Sequence, residues 1–240
     1  VAAPRAFLDL HCHTSASFDS LATPGAVIRA AVARGVTHLA ITDHDRIDGA
    51  LEGQLLARSE APGLQVIVGQ EIRTTSGDLI GAYLREAIPV GLSPAEAVAA
   101  VRDQGGLVGI AHPFDRFRGS VGRGESDALE ALAASVDWIE IWNARLMFGD
   151  GNARAAELAA KAGVPGVAVS DAHTTLEVGV AATILAGDLG TPAGLRAALA
   201  GPLELVTGRA SAYVRLFGPA AKLVQRARGR GRARMPAATR

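Results

Sequence analysis

Short apolar runs alternate along the chain with stretches in which apolar residues recur at helical spacing. Runs with strand character lie at 6–10, 38–42, 64–68, 107–111, 138–142 and 166–169, and helical patterns follow at 24–34, 48–60, 93–104, 126–134 and 151–162. Gly35 is a natural stop for the first helix, and Ser93 followed by Pro94 opens the third with an N-cap and a first-turn proline. A further run at 78–84 reads as a paired strand, and 178–185 and 192–200 add one more strand and a short helix. Strands separated by single helices predict a parallel sheet or barrel rather than a sandwich.

The 240 residues are 49% hydrophobic and 20% charged, which suits one α/β domain and excludes compositional disorder. No apolar stretch reaches the length of a membrane span, and the first five residues lack the apolar core of a secretion signal. Cys12 is the sole cysteine, so neither an intramolecular disulfide nor a cysteine-based zinc ribbon is available, and a reducing, cytoplasmic location is expected.

Charge is unevenly distributed. The chain balances 24 basic against 24 acidic residues, yet residues 209–240 hold eight Arg and one Lys with no acid, which leaves −9 on residues 1–208. Residues 1–217 are therefore expected to form the domain, and 218–240 a flexible basic tail. Such a tail can touch a polyanion electrostatically, but without interleaved aromatics it gives no sign of base recognition.

The histidines explain part of the acidity. Five of six, His11, His13, His44, His112 and His173, fall just after predicted strands, as do Asp19, Asp43, Glu71, Asn143 and Asp171. Successive steps from His13 through His44, Glu71, His112 and Asn143 to Asp171 are 31, 27, 41, 31 and 28 residues, mostly one βα unit each. In parallel α/β folds the carboxyl ends of the strands share one rim, so these residues converge. Imidazoles and carboxylates together suit Zn, Mn or Fe, with Mg also admissible. Strand alternation places His11 and His13 on one face and Cys12 on the other, as a small core residue. His38, near the opposite end of its strand, reads as structural, and Asp9 and Asp43 as strand-end caps or as partners that orient ligand imidazoles.

A multinuclear site needs no side-chain nucleophile, and the chain has no Gly-x-Ser-x-Gly elbow, phosphate loop or dinucleotide fingerprint. Arg116, Arg118 and Arg145 follow strand ends, where a guanidinium can hold phosphate; the bland alternative is that they pair with rim acids such as Asp115 or Asp150.

Six ordered motifs, Asp9-Leu-His-Cys-His-Thr14, Ile41-Thr-Asp-His-Asp45, Gly69-Gln-Glu-Ile72, Ala111-His-Pro113, Glu140-Ile-Trp-Asn143 and Ser170-Asp-Ala-His173, resemble those of the PHP family, the polymerase and histidinol phosphatase phosphoesterases. The resemblance covers residues 7–185 and implies a distorted (β/α)7 barrel with two or three divalent metal ions at the C-terminal ends of the strands. It implies that His11, His13, Glu71 and Asp171 hold one metal, that Glu71 bridges to a second held by His112, and that Asp19, His44 and His173 surround a third. Two departures stand out. Asn143 occupies a place where many relatives have a stronger His or Cys ligand, so it is assigned to substrate phosphate with the arginines. Only 40 residues separate Glu71 from His112, too few for a separate capping domain.

The expected activity is hydrolysis of a phosphate mono- or diester, monoesters preferred, of a small phosphorylated molecule such as a nucleotide or sugar phosphate. Asp171, His44 and His173 are the expected catalytic groups, the two imidazoles as proton donors to the leaving group. The alternatives are a metal-dependent amidohydrolase and a non-catalytic module that binds metal or nucleic acid.

Overall fold

The computed structural model describes residues 5–123, 126–146, 148–211, 213–233 and 235. Residues 1–4, read above for a secretion signal, and 234 and 236–240 of the basic stretch lie outside the described residues. The chain runs β1 (Arg5–Asp9), α1 (Pro24–Ala33), β2 (His38–Ile41), α2 (Asp48–Glu60), β3 (Gln65–Thr74), β4 (Gly77–Ala82), α3 (Pro94–Asp103) and β5 (Leu107–Ile110). It continues through α4 (Ser126–Ala133), β6 (Trp138–Asn143), α5 (Gly151–Ala162), β7 (Gly166–Val169), β8 (Ala181–Ala186), α6 (Pro192–Leu199), β9 (Glu204–Thr207) and α7 (Val214–Ala227).

Among the described residues the strands form one sheet in the order β7-β6-β5-β4-β3-β2-β1-β8-β9. Neighbouring pairs are parallel except those made by β4 and β8, which run antiparallel to both neighbours. The sheet curls until its ends nearly meet. Cys12 and Ala172, just beyond β1 and β7, form a parallel bridge, and the His13 amide donates to the Ala172 carbonyl at 2.8 Å. The expected distorted α/β barrel is present, with nine strands in the sheet where seven were expected, because the β3–β4 hairpin and the β8–β9 pair add antiparallel strands.

Alternation along the strands builds the core. Leu39, Ile41, Val66 and Val68 face the outer helices with Val27, Ile28 and Cys12, whereas Ala40, Ile67, Leu107 and Trp138 pack in a second apolar cluster with Leu8 and Leu195. The Trp138 indole lies across Gly109, its partner in the β5–β6 register, so closely that a Cβ there would overlap the ring. Gly109→Ala is therefore expected to destabilise the protein by about 1–3 kcal/mol, the usual cost of overpacking, measured by urea denaturation. An unchanged midpoint would show that Trp138 can move aside.

Asp9, anticipated as a cap, closes the barrel. Its carboxylate accepts from the Ser170 amide at 3.0 Å and the Gly179 amide at 3.2 Å, joining β1 to β7 and to the turn before β8. Complete burial outweighs these bonds and pushes its pKa up to about 6. Asp43 accepts from the Thr14 amide and hydroxyl at 2.6 and 2.7 Å, fixing the residue after His13. His38 is half-buried at the start of β2 and pairs with the Thr37 hydroxyl at 2.9 Å, a structural role.

The proposed boundary at 217/218 falls inside α7, and the basic stretch is helical to Ala227. Gln225 is wholly buried, and its amide nitrogen lies 2.7, 3.0 and 2.7 Å from the carbonyl oxygens of Ser15, Ser17 and Ser20. That anchorage keeps the helix on the barrel. Among the described residues no helix is long and apolar enough to cross a membrane.

Candidate metal centre

The strand ends bring the eight residues anticipated as ligands into one buried cluster. Glu71 lies in β3, and its carboxylate contacts four imidazoles from three segments: His11 and His13 at 3.3 Å, and His44 and His112 at 3.1 Å. Asp19 contacts His44 at 3.3 Å and His173 at 3.4 Å. Asp171 Oδ1 lies 3.7, 3.5 and 3.5 Å from His11, His13 and His173.

Three subsets place one donor atom per residue within 4.8 Å of one another: His13, Asp19, His44 and His173; His11, His13 and Asp171; and Glu71, Asp78 and His112. The first and second follow the expected grouping closely. The third includes Asp78, which the sequence reading placed only in a strand. It is buried in β4, beside β3 and β5, where a carboxylate can supply the donor that Asn143 supplies poorly.

Partners behind the imidazoles fix their orientation. The His11 Nδ1 proton is shared with Glu140 at 2.6 Å, His13 Nδ1 faces the Ser17 hydroxyl at 3.4 Å, and His173 Nδ1 donates to the Asp171 carbonyl at 2.9 Å. Glu140 also accepts from the His112 amide at 2.9 Å and from Asn143 at 3.0 Å, so one carboxylate positions two imidazole-bearing segments. Glu140 was visible within its motif, but nothing marked its side chain as turned inward. Asp171 and His112 adopt positive φ, 51° and 25°, a costly backbone for non-glycine residues that this surrounding network holds in place.

The cluster fits divalent cations. His11 Nε2 and His13 Nε2 face each other at 3.0 Å, an arrangement that leaves two lone pairs opposed when both rings are neutral at Nε2. The buried Asp171 Oδ1 has no hydrogen-bond partner. A cation among these atoms would relieve both problems, and the mixed imidazole and carboxylate donor set is that of Zn, Mn and Fe sites.

Electrostatics point the same way. Burial would lower the His11 imidazole, but Glu140 and Glu71 override it and push it up to about 10; His44 rises against burial to about 9 beside Glu71 and Asp19. Burial would raise Glu71, but His44 and His11 hold it well below the usual carboxylate range, and His44 and His173 do the same for Asp19. His173 is lowered strongly by burial, then by Arg145 and His13. On His11 and His44 a proton thus stands in for a cation among these carboxylates.

The three rim arginines behave differently. Arg118 pairs with Asp115 at 2.6 Å and with Asp171, and lies 3.3 Å from the Asn143 carbonyl oxygen, which is the rim-acid alternative. Arg145 lies 3.5 Å from Glu177. Both line a cavity of about 380 Å³ over Asp19, His44, Glu71 and His173, whereas Arg116 is exposed and does not line it. Asn143 bonds Glu140 and Asp171 below that cavity, not at its mouth.

Because Glu140 holds both His11 and the His112 segment, Glu140→Gln is expected to weaken metal affinity about 10- to 100-fold while the fold persists. Titration of the metal-depleted protein with a competing chelator measures this; an unchanged affinity would remove Glu140 from the centre.

A barrel that gathers imidazoles and carboxylates at its C-terminal rim defines a class of metal-site proteins. The PHP domain family model matches residues 9–138 and the PHP-associated model residues 149–200, and the chain belongs to the PHP family. It is 36% identical over 146 residues to an uncharacterised protein of Methanocaldococcus jannaschii, covering 57% of this chain and 81% of that one. Its fold is similar to that of a two-domain protein from Bacteroides vulgatus containing a predicted PHP-like metal-dependent phosphoesterase, with 18% identity and a TM-score of 0.66, covering 82% of this chain and 63% of that one. It is also similar to a lesion-specific endonuclease from Pyrococcus furiosus, with 18% identity and a TM-score of 0.63, covering 84% and 58%.

Proposed function

We propose that the protein hydrolyses phosphate monoesters of small molecules with two or three divalent ions bound. The carrying observation is the buried contact of Glu71 with four imidazoles directly beneath a cavity rimmed by Arg118, Arg145, Lys222 and Arg232. His11, His13, Glu71 and Asp171 would hold one ion; Glu71 and His112, with Asp78, a second; and Asp19, His44 and His173 a third. Bound there, such ions polarise phosphoryl oxygens and lower the pKa of a coordinated water.

The chain's own groups do the rest. Arg145 and Arg118 would orient non-bridging oxygens, provided that Arg118 leaves Asp171 when that carboxylate takes up an ion. Asn143 would hold Asp171 in place rather than reach substrate. With two ions bound and the third place free, His44, raised beside Glu71 and Asp19, would carry the proton that the leaving oxygen takes; His173, lowered by burial, would be the poorer donor. An apolar cavity of about 270 Å³ adjoins the charged one and shares Asp19, His173 and Gly218 with it, which gives the organic part of the ester a place to lie.

Size supports a small substrate. A cavity of about 380 Å³, lined on one side by Gly218, Pro219 and Lys222 of α7, has the size of a phosphorylated metabolite. Hydrolysis of p-nitrophenyl phosphate, bis-p-nitrophenyl phosphate and a set of metabolite phosphates with Mn, Zn, Fe or Mg tests the reading, with His11→Ala as control. Turnover of a lactone or amide with no phosphate release would favour the amidohydrolase alternative.

A further inference from the structure

We propose that α7 and the segment after it are a working wall of the site, in which Lys222 and Arg232, seated on the Phe18 ring, grip a terminal phosphate and favour monoesters over diesters. This rests on the phosphoester reading above and adds residues from a stretch that composition alone presents as a tail.

The wall is anchored at one point. The buried Gln225 amide binds three carbonyls of the loop that follows His13, and Arg230 adds a bond to the Ser15 carbonyl at 3.0 Å. That loop carries Phe18 and Asp19, and the Phe18 ring lies 4.8 Å from the His44 ring. Lys222, three residues before Gln225 on the same helical face, places its ammonium 5.5 Å from the Phe18 centroid, and Arg232 places its guanidinium carbon at 5.4 Å. Both side chains line the charged cavity with His44, Glu71 and Asp171. One aromatic ring beside the metal centre thus holds two cations at its mouth.

Their placement exceeds what charge neutralisation requires. Among the described residues Lys222 has no carboxylate within 4.0 Å, and Arg232 reaches both Asp78 oxygens only at 3.4 Å, a loose contact that an anion can displace. A terminal phosphate near pH 7 carries close to two negative charges on three free oxygens, whereas a diester carries one on two. Two further cations facing the centre therefore stabilise a bound monoester more than a diester.

The test uses the full chain loaded with Mn, and reads inorganic phosphate affinity by calorimetry together with kcat/KM for p-nitrophenyl phosphate and its bis ester. Lys222→Ala is expected to weaken phosphate binding about tenfold, and the double variant with Arg232→Ala about 100-fold, the loss of one and two charge-assisted bonds. The monoester KM should rise in step, with kcat less affected, while the diester KM changes little; Lys222→Arg should retain binding and Lys222→Gln should not. Lys222 is exposed, so its loss leaves the core intact, and if Arg232→Ala disturbs metal content the Lys222 variants decide alone. Wild-type phosphate affinity in the double variant at unchanged metal content would overturn the proposal. Wild-type protein that binds phosphate through Lys222 but hydrolyses neither ester would keep this inference and reject the phosphoester reading.

Discussion

Replacing Glu71 by Gln is expected to abolish hydrolysis, by about 10³-fold or more, and to strip the protein of bound metal. Among the described residues Glu71 is the one carboxylate in contact with His11, His13, His44 and His112, so it joins the three donor groups into one centre. The amide keeps the shape but removes the charge that offsets the cations, and several kcal/mol of transition-state stabilisation depend on those cations being in place. Metal content by mass spectrometry and single-turnover hydrolysis should fall together. Glu71→Gln leaves the apolar core untouched but removes the attraction that holds protons on His11 and His44, so a thermal melt of the metal-free variant separates lost stability from lost metal. Full activity in this variant would mean that the reacting centre lies elsewhere.

The second large effect is proton-linked metal binding. In the metal-free protein His11 and His44 titrate at about 10 and about 9, so both are protonated at pH 7. A ligand imidazole must give up that proton, and full loading at pH 7 should therefore release about two protons per chain. Summed over the sites, affinity should rise about 100-fold per pH unit until pH nears 9. The sign for stability is the reverse without metal. Both imidazoles gain protons on folding, so their contribution is complete below the unfolded value of 6.5 and is lost as pH rises through about 9 and 10. Calorimetry in buffers of different ionisation enthalpy counts the protons, and thermal melts from pH 7 to 10 with a chelator test the sign. Loading without proton release would show that the imidazoles are already neutral in the apo protein.

Much of this centre was legible in the sequence for a geometric reason. Parallel strands joined by single helices bring every strand end to the same rim, so regular spacing from His13 to Asp171 already implied convergence. Glu140 and Asp78 were less visible. An acid within a strand points inward or outward according to register, and the inward turn of Asp78 depends on the antiparallel β3–β4–β5 pairing. Arg118 was read as facing substrate, yet Asp115 and Asp171 lie within its reach, which sequence separation from Asp171 concealed.

The last helix was hidden for another reason. The basic stretch from residue 218 onward reads as a flexible tail, but α7 runs through Pro219 as far as Ala227. What holds it is one buried amide meeting three carbonyls some 200 residues away in sequence, a contact with no local signature. Strand β9 was missed likewise: four residues between Pro202 and Gly208 pair with β8 only because the barrel supplies an edge.

Metal-dependent phosphoester hydrolysis is tested most directly by following phosphate release from a monoester while metal is added back to fully depleted protein. No turnover is expected without metal, and activity should rise with bound ions to a plateau at about two or three per chain, matching the three donor groups. Undiminished turnover in metal-free protein, or none at any loading with any of Mn, Zn, Fe and Mg across the phosphate set, would contradict metal-dependent hydrolysis.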